Sequence, residues 1–79
     1  MVEKAVVTPA VLRDVLLAYL AHHPDASDTL DGIRGWWLPD MHPPPSAEAL
    51  HATLEALEAE GKLIHTVMVD GSVLYARAR

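Results

Sequence analysis

Leu54-Glu55-Ala56-Leu57-Glu58-Ala59-Glu60-Gly61-Lys62-Leu63-Ile64 is the stretch on which the fold turns. Leu50, Leu54 and Leu57 are spaced for one helical face, and Ser46 stands where a capping hydroxyl is needed. Gly61 follows the last periodic residue, the usual place of a left-handed C-terminal cap. A helix is therefore predicted over residues 47–60. Residues 63–69 and 72–77 then read as strands, joined by Asp70-Gly71, the pair that best tolerates the positive φ angles of a type I′ hairpin turn. With a turn of two residues, Ile64, Thr66, Met68, Val73 and Tyr75 share one face, and Leu63, His65, Val67, Val69 and Leu74 share the other. Both faces are substantially apolar. One closes over the helices; the other needs a cover, either Ala5-Val6-Val7 as a third strand or a second copy of the chain.

Towards the N-terminus, Thr8-Pro9 offers a capping hydroxyl followed by proline at the first helical position. Leu12, Val15, Leu16, Tyr19 and Leu20 form an apolar stripe that stops at His22-His23-Pro24, predicting a helix over residues 9–22. A second, shorter helix is expected over residues 28–38, capped by Ser27 or Asp28, with Leu30, Ile33 and Trp37 on one face and Trp36 at its edge. Three consecutive prolines then make residues 39–45 an extended spacer. The expected fold class is α+β, a three-helix core followed by a C-terminal hairpin in a single domain of residues 1–79. Residues 1–7 are either disordered or a short extra strand.

The order helix, helix, helix, hairpin, with the run Leu-x-x-Leu-x-x-x-Gly-x-Leu-Ile at residues 54–64 and Tyr75 after Asp70-Gly71, resembles the winged helix-turn-helix family over residues 8–77. The resemblance implies a three-helix core with a β-wing, often used to place the third helix in the DNA major groove and the wing on the adjacent backbone. It equally covers winged helices that serve as protein–protein modules, such as those in cullins and membrane-sorting complexes.

Charge separates these two uses. DNA affinity comes mainly from Lys and Arg neutralising phosphates, yet no Lys or Arg occurs between Gly35 and Gly61, where Asp40, Glu48, Glu55, Glu58 and Glu60 stand. The outward face of the third helix carries Glu48, His51, Glu55 and Glu58, which would meet phosphate with like charge. The connection between the second and third helices is also longer than the tight turn of a helix-turn-helix. The expectation is a protein-interaction or dimerisation module in a regulatory role, using Trp36 or the hairpin residues Val67, Val69 and Leu74. The alternative is a DNA-binding transcriptional regulator using His51, Lys62, Arg77 and Arg79.

Composition bears on the remaining classes. A chain of 79 residues with 51% hydrophobic residues and a formal charge of -5 buries about 60 to 65% of its unfolded surface, room for one small core but not a deep catalytic cleft. The absence of Cys removes disulfides, thiolate nucleophiles and cysteine metal sites. His22-His23 with Asp25, and Asp40 with His42, lack the spacing that brings two metal ligands onto one face. Glu48, Glu55 and Glu58 lie on an exposed stripe with no cleft to tune them, and Ser27, Ser46 and Ser72 have no neighbouring base. No catalytic residue, metal, cofactor or small-molecule substrate is expected. The absence of a long apolar run or a leader-like start points to the cytoplasm rather than a membrane.

Overall fold

The computed structural model describes residues 8–38, 41 and 44–78. Thr8 Oγ1 accepts the Val11 N–H at 3.1 Å and Pro9 opens helix α1, Pro9–His22, as its sequence dictates. Leu12, Leu16 and Leu20 on its inner stripe are buried. Ser46 caps helix α3, Ala47–Ala59, its hydroxyl accepting the Ala49 N–H at 3.1 Å. Glu60 is the C-cap, and the chain then leaves through a Schellman turn. There the Gly61 N–H bonds to Glu58 O at 2.9 Å and the Lys62 N–H to Leu57 O at 3.0 Å. Gly61 has φ 78°, a conformation in which a side chain is strained.

Between these helices the chain departs from the sequence-based expectation. Ser27 and Asp28 do not cap a helix; they form a short strand, β1 (Ser27–Asp28), which explains why the second helix starts later than residue 28. Thr29 is the cap, accepting the Gly32 N–H at 3.2 Å, and helix α2 (Leu30–Gly32) runs on into a π-helical turn, Ile33–Trp37. Ile33 and Trp37, four residues apart, both reach the core. Trp37 stacks on Tyr19 of α1, with centroids 4.8 Å apart and planes 12° from parallel. Arg34 Nε donates to Pro45 O at 2.8 Å, tying the start of this turn to the entrance of α3.

Strands β2 (Leu63–Val67) and β3 (Val73–Arg77) form the hairpin, and β1 pairs with β3, giving an antiparallel sheet of order β1-β3-β2. Ser27–Asp28 thus supplies the third strand; Ala5-Val6-Val7 lies outside the described residues. Among the described residues, three helices and a three-stranded antiparallel sheet with its C-terminal hairpin make this a small α+β fold compatible with a winged helix.

The hairpin loop has three residues, not two. The Gly71 N–H bonds to Met68 O at 2.9 Å, the Met68 N–H to Ser72 O at 2.7 Å, and Gly71 takes φ 90° while no described non-glycine residue has positive φ. This is a turn of type I closed by a left-handed glycine, because a type I′ turn would need positive φ at Asp70 as well. The change moves the register by one. His65 lies opposite Tyr75 and Val67 opposite Val73, so Leu63, His65, Val67, Val73 and Tyr75 share the face packed on the helices. Ile64, Thr66, Leu74 and Ala76 share the outer face. The expected grouping of Leu74 with Val67 is corrected: they lie on opposite sides of the sheet.

The core is a cluster in which Leu12, Leu16 and Leu20 meet Leu50, Leu54 and Leu57, closed by Ile33, Trp37, Leu38, Leu63 and Tyr75. Leu54→Ala, at a position with no exposed surface, is expected to cost about 2 to 5 kcal/mol, a large share of the stability of so small a domain. At Gly35 a Cβ would meet nothing within 4 Å, so Gly35→Ala is expected to stabilise by about 0.5 to 1 kcal/mol. Urea unfolding followed by tryptophan fluorescence measures both.

Candidate functional site

Because α3 spends its leucines on the core, Glu48, His51 and Glu55 are left pointing outwards. The turn at Gly61 then sends β2 back beside the helix and brings His65 to Glu58, whose carboxylate oxygens accept from Nδ1 at 2.6 and 2.8 Å. One turn earlier, His51 Nδ1 lies 3.4 Å from Glu55. Tyr75 lies beneath this row. Its phenol is pushed above the ordinary tyrosine range, first by burial and then by the negative charges of Glu58 and Glu55. The row is a set of hydrogen-bond acceptors able to attract cations. Among the described residues, no group of three or more His, Asp or Glu side chains is placed to hold a metal ion.

At the other end of the hairpin the charges differ. Lys62 and Arg77 line a shallow hollow with Leu17, Leu20 and Ala21 of α1. His51 instead lines a hollow with Thr29, Asp31, Glu48 and Tyr75, between α2, α3 and the hairpin. The structure therefore does not bring His51 together with Lys62 and Arg77, and Arg79 lies outside the described residues. No Lys or Arg occurs along α3.

The residues expected to meet a protein partner are also distributed. Trp36 is 75% exposed on the π-helical turn, well beyond the half-exposure expected at a helix edge. Val67 is 63% exposed, Val69 is fully exposed in the loop, and Leu74 is half-buried on the outer face. Ile64 and Met68, exposed beside them, were not singled out by sequence, since their exposure follows from the hairpin register. A groove of about 310 Å³ between α1 and α3, lined by Pro9, Ala10, Leu12, Ala52 and Ala56, was also missed. The spacing of Ala49, Ala52 and Ala56 on one helical face is its only sequence signal. Arg13 of α1 clasps Glu60 with both ends of its guanidinium, a pair separated by 47 positions that only the fold unites. That hydrogen-bonded contact lowers the Glu60 pKa and raises that of Arg13.

At the hairpin loop, Asp70 Oδ1 accepts the Ser72 N–H at 2.9 Å and the Ser72 hydroxyl at 2.7 Å, which holds the Asp70 carboxyl below the usual aspartate range. The stability this contributes is complete above the ordinary aspartate pKa and is lost as pH falls through the lower folded value. The Ser72 amide resonance should accordingly titrate with a midpoint below that of a model aspartate, and Asp70→Asn should abolish that titration. Tyr75, with its raised pKa, has the opposite sign: its contribution is complete below the ordinary tyrosine pKa and is lost as pH rises through the folded one. An ultraviolet absorbance titration should find Tyr75 ionising at higher pH in the folded chain than in urea. Compared with protein-family models, with curated proteins and with solved structures, the chain finds no match, so its function is read from these residues.

Proposed function

We propose that this chain is a non-catalytic binding module of winged-helix type that recognises a protein partner or a second copy of itself in a regulatory role. The observation that carries this reading is the outward face of α3. In a winged helix this face would enter the DNA groove, and here it presents Glu48, His51 and Glu55, with Glu58 held beside it by His65. Like charge against phosphate opposes nucleic-acid binding, and the affinity of such binding rests on cations that α3 lacks. Apolar side chains take the exposed positions instead. Trp36 on its turn is of the residue type enriched at the centres of protein interfaces, and Val67, Met68 and Val69 expose apolar surface together at the hairpin tip. Among the described residues, no helix is long and apolar enough to cross a membrane. We place the module in the cytoplasm.

DNA-binding regulation is the second reading. It is favoured by the topology, which sets a helix beside a β-wing, and by the adjacency of Lys62 and Arg77 at the hairpin base. The two readings diverge in one experiment. Labelled protein titrated with mixed-sequence duplex DNA at low salt, where electrostatic attraction is strongest, is expected to show no saturable amide shifts. Saturable shifts in Ala47–Ala59 and in the hairpin, weakened by Arg77→Ala, would overturn the interaction reading in favour of the regulator.

A further inference from the structure

The edge of the sheet formed by β2 is unpaired among the described residues, since β3 occupies its other side and β1 lies beyond β3. Two hydrogen bonds fix which backbone groups face outwards. Lys62 O accepts from the Ala78 N–H at 3.1 Å, and the Met68 N–H donates to Ser72 O at 2.7 Å. In an antiparallel ladder the hydrogen-bonded residues alternate, so Lys62, Ile64, Thr66 and Met68 address β3 while the N–H and C=O groups of Leu63, His65 and Val67 point away from the sheet. Natural edges are commonly blocked by lysine, proline or a bulge. Leu63-Ile64-His65-Thr66-Val67 carries no Lys, Pro or Gly, and the bulge glycine Gly71 lies across the loop.

The side chains along this edge say what would dock there. On the helix-facing side, the Glu58 carboxylate is bound to His65. On the outer side, Ile64 presents apolar surface, with Thr66 along from it. A second copy added antiparallel about His65 would bring each His65 and Glu58 against its own equivalent, like charge beside like charge. Each copy would also carry a formal charge of -5. An incoming strand with the opposite charge meets no such penalty.

We propose that the β2 edge is a strand-addition site for an extended cationic peptide whose side chains alternate between Lys or Arg, facing Glu58, and apolar residues, facing Ile64. Main-chain hydrogen bonds to Leu63, His65 and Val67 provide the attachment, and the alternation of the pleat provides the selectivity. This rests on the interaction reading above and names the partner chemistry for it.

The test uses the full chain and three blocked synthetic heptapeptides: alternating Val and Lys, alternating Val and Glu, and the Lys peptide N-methylated at alternate residues. Amide-shift titration and hydrogen exchange are read together. The Lys peptide is expected to shift and slow the exchange of the Leu63, His65 and Val67 amides. The Glu and N-methylated peptides are expected to bind far more weakly. Glu58→Gln should weaken binding of the Lys peptide by up to about fivefold, the range of a partly exposed ion pair. Val67→Pro, which removes an outward N–H without breaking a bond to β3, should abolish it. Equal binding by the Glu or N-methylated peptide, or shifts lying elsewhere than β2, would overturn the proposal whether or not the proline variant folds. No binding of the Lys peptide, with DNA also silent, overturns this site while leaving the interaction reading standing; saturable DNA binding on α3 overturns that reading itself. A dimeric mass with slowed β2 amides in the absence of peptide would give the edge to a second copy and likewise overturn the proposal.

Discussion

Everything in this molecule depends on the meeting of two leucine stripes. Leu12, Leu16 and Leu20 of α1 face Leu50, Leu54 and Leu57 of α3, and every one of these side chains is buried. A chain without Phe has few other large apolar side chains to use, so the aliphatic contact between these helices carries most of the core. The remaining elements are placed by it. Trp37 joins the core with its ring stacked on Tyr19, on the flank of α1. Leu63 reaches it because the turn at Gly61 redirects the chain within two residues of the helix end.

The same contact decides which surfaces remain available to a partner. Once α3 has turned its leucines inwards, the spacing of a helix forces Glu48, His51 and Glu55 onto the opposite side. Once β2 is sent back along α3, His65 meets Glu58 and holds its carboxylate beside the hairpin. The position a winged helix uses for nucleic acid is thereby occupied by negative charge. Cations sit instead at the hairpin base beside α1, where Lys62 and Arg77 line a hollow with Leu17 and Leu20. Fold and electrostatics point in different directions here. Since a fold hosts many functions while a site has its own chemistry, the charges weigh more in the functional reading.

The structure also holds a local irregularity close to exposed aromatic surface. On the π-helical turn Ile33–Trp37, Trp37 is buried while its neighbour Trp36 stands in solvent. The start of the turn is held by the Ile33 N–H bonding to Thr29 O at 2.8 Å and by the Arg34 side chain bonding to Pro45 O.

What the sequence determined by itself is what short-range physics determines. Thr8-Pro9 and Ser46 start their helices because a hydroxyl can satisfy a free N–H three residues away, and Gly61 ends one because it alone accepts the required φ without strain. The leucine stripes follow from helical period, and the acidic outer face follows from the stripes. The tertiary structure decided the rest. Ser27 and Asp28 have no strand pattern of their own and become a strand only because β3 offers them an edge. Asp70-Gly71 is compatible with a loop of two or of three residues. The longer loop holds because it puts Leu63 and Tyr75 on one face, where both can be buried, whereas the shorter would separate them. Which hairpin side chains a partner can reach was therefore settled by packing between residues far apart in the chain.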